Sequence, residues 1–304
     1  MNCPIKISVV IPSKNRAHTL PTCLESVLNQ SFPPAEVIIV DDGSTDDTEK
    51  VVKKYKDYGV LYVPLPEGHG GAQAARNYGV QIASHEWIAF QDSDDLWLKN
   101  KLLMQIEALR EKNFDRKIVV HANGLKKLGS TGTELPICIR LTEGQCFEQL
   151  LLNPGPMFQA LLASKDAILS AGGLDDNCPS HQEWDTAIRL SRNCEFVHIQ
   201  EPVFIWNWHE GETISKDLKR SIVGFNYIVN RYKNDIIKHC GYQKFRKMKI
   251  KVFIQACHIN YWVDAKKVLI NEGWHPSYLL ALFLAYMHIK SNVTDRLLRL
   301  FTLI

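Results

Sequence analysis

Apolar residues fall in short unbroken runs along this chain, separated by polar loops and by stretches of helical periodicity. Ile5 to Ile11 (IKISVVI) is rich in β-branched residues and predicts a buried strand that Pro12 ends. After a polar loop, Ser13 to Arg16, the residues Leu20, Leu24, Val27 and Leu28 recur at helical spacing, and Pro33-Pro34 closes that helix. Val37 to Val40 predicts a second strand, and Asp41-Asp42-Gly43-Ser44-Thr45-Asp46 leads from it into a helix around 46–57. Val60 to Val63 is a third strand. The glycine loop Gly68 to Gly71 opens a helix over Ala72 to Ile82, and Trp87 to Phe90 is a fourth strand running into Gln91-Asp92-Ser93-Asp94-Asp95.

Strands that are apolar throughout and alternate with helices predict an α/β fold, with a Rossmann-like, mostly parallel sheet flanked by helices. In such sheets ligands bind outside the carboxyl ends of the strands, which is where the polar loops after strands one, two and four fall. The middle of the chain is less regular. Gly172-Gly173-Leu174-Asp175, a helix over His181 to Leu190, and short strands at Phe196 to Ile199 and Val203 to Trp206 can be read there. From about 216 the pattern turns helical and basic. The expected organisation is a first domain over 1–215, divided into segments 1–110 and 111–215, with a C-terminal helical region over 216–304.

Composition narrows the class. Of 304 residues 45% are hydrophobic and 23% charged, enough for a sizeable core and unlike a disordered or fibrous chain. A net charge of +3 provides no strong field for nucleic acid, so none is expected as a partner. No apolar run reaches the roughly 18 residues needed to span a bilayer. No signal-peptide pattern precedes the first strand, and none of the eight cysteines are paired at metal or redox spacing, so reduced thiols and a cytoplasmic location are expected. Tyr278 to Ile289 is apolar but covers only about 18 Å as a helix. With the basic stretch Lys233 to Lys251, and with Arg296 and Arg299, it suits a packed helical bundle, a homodimer contact or a peripheral anchor on the anionic inner face of the plasma membrane.

The candidate chemistry centres on carboxylates. Asp92, Ser93, Asp94 and Asp95 crowd negative charge that a divalent cation holds well, and hard oxygen ligands suit Mg²⁺ or Mn²⁺. Such an ion keeps one or two protein carboxylates and completes its shell with phosphate oxygens and water, so the motif implies a phosphate-bearing substrate. The plain alternative is a solvated acidic turn capping a helix at Leu96 to Leu109. Asp42 could accept the ring N–H of a uracil beside Pro12 and Ser13, or cap the next helix; Asp46 or Ser44 could cap instead, which leaves Asp41 and Asp42 with no evident structural task. Gly71 at a helix N-terminus, with Arg76 one turn in, could meet an anion.

The runs ISVVIPSKNR, VDDGSTDDT, GGAQAARNYG and WIAFQDSDDLW, in that order and spacing, resemble the nucleotide-binding half of family 2 glycosyltransferases, which have the GT-A fold. Gly172-Gly173-Leu174-Asp175 with Gln182-Glu183-Trp184-Asp185 resembles the acceptor half. Trp208-His209 with Thr213-Ile214-Ser215 resembles the segment that closes over the diphosphate. The resemblance implies an inverting, metal-dependent transfer of a sugar from a nucleotide-sugar donor, UDP-linked, to a hydroxyl of a glycan or lipid-linked acceptor in cell-surface polysaccharide or lipopolysaccharide synthesis. It implies that Pro12, Ser13, Arg16, Asp41, Asp42, Gly71, Arg76, Asp92, Ser93 and Asp95 bind the nucleotide-sugar. Asp94 and Asp92 would ligate the metal, joined by His209. Glu183 would be the base, with Asp185 as its fallback, and Trp184 is either an acceptor-sugar platform or a packing residue. Glu183 stands where the family more often has aspartate. A sugar nucleotidyltransferase, or a module that binds nucleotide or carbohydrate without catalysis, is the rival reading.

Overall fold

β1 (Ile7–Ser13) is buried along its whole length, which a run with apolar side chains on both faces requires. In the computed structural model, which describes residues 5–129, 131–139, 142–208 and 217–259, it is an inner strand of four parallel strands. α1 (Leu20–Leu28) follows it, then β2 (Glu36–Asp41), α2 (Thr48–Lys53), β3 (Val60–Pro64), α3 (Ala72–Ile82) and β4 (Trp87–Phe90). These strands pair in the order β3-β2-β1-β4. Ser13 lies opposite Asp41, and Val10 opposite Phe90, so the carboxyl ends of β1, β2 and β4 share one edge.

Beyond β4 the sheet is mixed. β5 (Leu96–Trp97), α4 (Lys101–Glu111), β6 (Ile118–Leu128), β7 (Glu134–Ile137), α5 (Phe147–Leu152), β8 (Leu162–Ser164), α6 (Lys165–Ser170), α7 (Gln182–Leu190) and β9 (Glu195–Trp208) follow in turn. β8 runs antiparallel to β4 and β6. β9 runs parallel to β6, and β5 antiparallel to β9. The acidic stretch therefore does not cap a helix beginning at Leu96: Leu96 and Trp97 are strand, and α4 starts only after Asn100. The two short strands expected near 196 and 203 are one long strand, because irregular register at Asn123 of β6 absorbs the Gln200-Glu201-Pro202 interruption.

α3 lies close on the sheet. A Cβ at Gly79 would come within 2.4 Å of Val10 Cγ1, so this approach requires glycine. His121 on β6 stacks on His198 of β9 at 4.4 Å, and burial pushes His121 down to about 4. It is a neutral core residue bonded to the Thr142 carbonyl.

The chain divides into two units, one drawn from Met1–Leu150, Pro154–Asp176 and Gln182–Gly211, the other from Leu151–Asn153, Asn177–His181 and Glu212–Ile304. The second contains α8 (Leu218–Arg231), α9 (Lys233–Cys240) and α10 (Tyr242–His258). Ile222, Phe225, Ile228, Ile236, Phe245 and Phe253 form its core, and Lys249 is buried there, donating to the Asn226 and Asn230 side-chain oxygens. Residues 217–259 carry ten Lys and Arg against two Asp, and α10 carries no acid. No helix among the described residues is long and apolar enough to cross a membrane. The boundary expected near 215, His209, Thr213-Ile214-Ser215, Tyr278 to Ile289, Arg296 and Arg299 lie outside the described residues.

Candidate active site

Three loops converge at the carboxyl edge of β1, β2 and β4. The first two are knitted together by short polar bonds. Asn15, held at φ 53°, accepts from Thr45 N at 2.8 Å and donates its own N–H to Ser44 Oγ at 2.8 Å. Arg16 N donates to Thr48 Oγ1, and Asp46 accepts from Ala17 N and Thr48 N. Asp41 is buried and accepts from Ser44 N, Ser44 Oγ and Tyr62 Oη. The sequence left Asp41 and Asp42 without a structural task; in the fold Asp41 shapes the loop, and Asp42 is partly exposed beside Lys14. Lys14 lies 3.4 Å from Asp42, and Gly70 lies beside it, where an added Cβ would make ordinary contact with Asp42 Oδ1 at 3.7 Å. Pro12 and Ser13 close the floor as the buried end of β1.

The third loop carries the acids and is tied at both ends. Gln91 N bonds Val10 O at 3.1 Å, and Leu98 N, just past β5, bonds Val203 O at 2.9 Å. Asp92 is ion-paired to Arg76, whose guanidinium also donates to Gln73 and stacks 4.5 Å above the Phe158 ring. Arg76 is thus buried and aimed at Asp92, whereas its position one turn into α3 suggested an anion contact beside Gly71, the residue that starts the helix at φ 90°. Asp94 meets Arg16 at 3.3 Å. Ser93 is buried between the two acids. Burial pushes the Asp92 carboxyl above its ordinary value, against the opposing pull of Arg76. Burial, with the charges of Asp92 and Asp94 behind it, pushes Asp95 well above.

Asp95 is only 2% exposed. Its Oδ2 accepts from Gln159 Nε2 at 2.8 Å and its Oδ1 from Asn207 N at 2.8 Å. Expected to bind the nucleotide-sugar, it is instead a strut inside the loop, because both carboxylate oxygens are engaged by protein donors. Neither Gln159 nor Asn207 was singled out by the sequence. The only sequence sign for Asn207 is a polar residue between Trp206 and Trp208 in an apolar strand.

The acceptor-side residues lie on α7. Glu183 is half-buried in its first turn, and among the described residues its carboxylate has no hydrogen-bond or ion-pair partner. Asp185, the expected fallback base, is fully buried and ion-paired to Arg189 at 2.8 Å. A carboxylate so enclosed has no route to an acceptor hydroxyl. Trp184, considered as a sugar platform, is also fully buried and donates Nε1–H to Leu150 O, so it is a packing residue. Asn77 of α3 fastens the Gly172–Asp176 loop, accepting from Leu174 N at 2.7 Å and donating to Leu174 O at 2.8 Å. The Arg16–Asp94 and Arg76–Asp92 pairs, the bond from Asp95 N to Asp92 O at 3.1 Å and the bonds of Asn207 to Asp94 and Asp95 join these residues into one cluster, whereas Glu183 and Asp185 sit on α7.

This cluster suits a divalent cation shared with a substrate. Among the described residues no three His, Cys, Asp or Glu side chains converge as a self-sufficient cage. Mg²⁺ or Mn²⁺ typically takes one or two carboxylates and fills its shell with phosphate and water, which Asp92 and Asp94 can supply from one loop. Ser13 Oγ and Gln73 Nε2, buried beside these loops, have no hydrogen-bond partner among the described residues and are available to a ligand.

Comparison with known proteins bears on this arrangement. Residues 8–147 match the model described as glycosyl transferase family 2. The chain is 35% identical over 148 residues to the putative teichuronic acid biosynthesis glycosyltransferase TuaG of Bacillus subtilis, covering 48% of this chain and 57% of that protein. It is 38% identical over 107 residues to WfgD of Escherichia coli, named UDP-Glc:alpha-D-GlcNAc-diphosphoundecaprenol beta-1,3-glucosyltransferase, covering 35% and 42%. The chain thus spans about half the length of these curated relatives. In overall fold it is similar to Staphylococcus aureus TarS 1-349, solved with UDP-GlcNAc, at a TM-score of 0.66, 18% identity and coverage of 96% and 88%.

Proposed function

We propose that this chain, whose residues 8–147 match the glycosyl transferase family 2 model, is an inverting glycosyltransferase that moves a sugar from a UDP-sugar to a hydroxyl of a glycan or lipid-linked acceptor. The observation that carries the reading is the shared sheet edge. Asp42 just past β2 and the Asp92–Asp94 pair just past β4 stand at the carboxyl edge of the sheet on either side of β1. UDP-Glc in the name of WfgD and UDP-GlcNAc in the TarS structure support the choice of donor. The names of TuaG and WfgD support surface-polysaccharide or lipid-linked glycan synthesis as the setting.

In this reading Asp42 accepts the uracil N–H, with Ser13 beneath it. Arg16 stands beside Asp94, where it meets the diphosphate. Asp92 and Asp94 would hold Mn²⁺ or Mg²⁺, which would offset the charge that builds on the departing diphosphate. Glu183 takes the proton of the acceptor hydroxyl as that oxygen forms its bond to the anomeric carbon. The bond from that carbon to the diphosphate oxygen breaks with its electron pair, releasing UDP. Direct displacement inverts the anomeric centre. Arg76, Gln73 and Phe158 keep Asp92 in place.

The acid-free helix α10 exposes Lys244, Lys247 and Lys251, a face suited to an anionic bilayer and hence to a lipid-linked acceptor. Co-sedimentation with phosphatidylglycerol vesicles tests this, and an equal yield from neutral vesicles contradicts it. The donor assignment is tested by thermal shift with UDP-, GDP- and dTDP-sugars plus Mn²⁺. A ligand at about 100 times its Kd stabilises the native state by about 2.7 kcal/mol. A UDP-sugar is expected to raise the Tm by several degrees only with Mn²⁺ present, and a larger shift with a GDP-sugar would displace the uracil assignment.

A further inference from the structure

We propose that Gln159 and Asn207 are positioning residues that set the acidic loop for its ligand by gripping Asp95 and the Asp94 backbone. Asp95 stands next to Asp94 and three residues from Asp92, yet its carboxylate is turned into the protein. Gln159 Nε2 holds one oxygen at 2.8 Å, and Asn207 N holds the other at 2.8 Å. Asn207 adds a second grip, donating Nδ2–H to the Asp94 carbonyl at 2.8 Å. That bond fixes the peptide unit leading out of Asp94 and so limits how its side chain can swing.

The grip comes from two distant parts of the chain. Gln159 is itself buried, in the turn before β8, and Asn207 is on β9, the strand that also pairs with β5. Arg76 and Arg16 each hold one acid from outside, but the loop backbone between Asp92 and Asp94 would still be free to spread under their repulsion. Three bonds at the middle of the loop oppose that spreading. Ligand-binding groups must be held to about 0.5 Å, and residues one shell out from a metal are typically worth about 10–100-fold in affinity.

The proposal rests on the donor-site reading above, and the test separates the two. UDP binding to the full chain is measured by calorimetry with and without Mn²⁺ for wild type, Gln159→Met and Asn207→Leu, near-isosteric changes that remove the Gln159 Nε2 donor to Asp95 and the Asn207 Nδ2 donor to the Asp94 carbonyl without adding charge, the backbone bond from Asn207 N to Asp95 remaining. The expected result is Mn²⁺-dependent UDP binding in the wild type, weakened about tenfold or more in each variant. In turnover, the apparent KM for Mn²⁺ should rise while kcat at saturating Mn²⁺ recovers, a split that a loss of folded protein would not produce. Gln159 is buried, so its variant is read beside its melting curve; Asn207, only half-buried, provides the arm less exposed to misfolding. Variants that bind UDP and Mn²⁺ as the wild type does overturn the positioning role alone. A wild type with no Mn²⁺-dependent binding overturns the donor-site reading and this proposal with it.

Discussion

Glu183→Gln should stop sugar transfer while leaving nucleotide binding and stability intact. A positioned general base contributes typically 10²–10⁴-fold, so kcat should fall by about that factor with little change in the donor KM. The structure makes this substitution unusually clean. The Glu183 carboxylate has no hydrogen-bond or ion-pair partner among the described residues and is half-buried, so the amide disturbs no bond of the fold. Asp185 cannot take over, because it is fully enclosed and bound to Arg189. Its own substitution should instead loosen α7, leaving a buried guanidinium without its counter-charge. Near-normal turnover by the Glu183 variant would place the base elsewhere.

Asp94→Asn should abolish the dependence of UDP binding on Mn²⁺. Partners one shell removed from a metal already matter by about 10–100-fold, so losing a ligand itself should cost about 100-fold or more in Mn²⁺-supported affinity. The variant gives up the partly exposed pair with Arg16, worth about 1 kcal/mol or less, and should fold nearly as well as the wild type. The negative charge of Asp94 is one of the causes that push the Asp92 and Asp95 carboxyls up, so removing it relieves repulsion in the loop. A Tm that stays near the wild-type value while metal-linked binding disappears therefore separates ligand loss from misfolding. Unchanged UDP affinity with and without Mn²⁺ in both proteins would remove Asp94 from the metal site.

What could be read without coordinates was the part written in local patterns. β1, β2 and β4 are continuous apolar runs, α3 is a glycine-opened helix, and both were legible to within a few residues. The acidic loop was legible because three carboxylates in four positions after a strand are conspicuous. What escaped was set by distant pairing. Leu96 and Trp97 are too short a run to announce a strand; they are one because Phe204 and Ile205 lie opposite them. Asp95 reads like its neighbours until its partners, 64 and 112 residues away, are known. Asp41 looked unassigned because Tyr62, which donates to it, sits on the next strand. Trp184 and Asp185 carried the motif beside Glu183, but whether a helical side chain faces a crevice or the core depends on what packs over it. Here that is the Leu150 carbonyl and Arg189.

The account stands or falls on where a cation and a diphosphate meet this sheet edge. Crystals of the full chain grown with UDP and Mn²⁺, measured at the manganese absorption edge, locate both at once. The predicted result is an anomalous peak at the Asp92 and Asp94 carboxylates, bridged to the diphosphate, with the uracil against Asp42. UDP bound in another cleft, or bound at this edge with no manganese peak beside the acids, would contradict it.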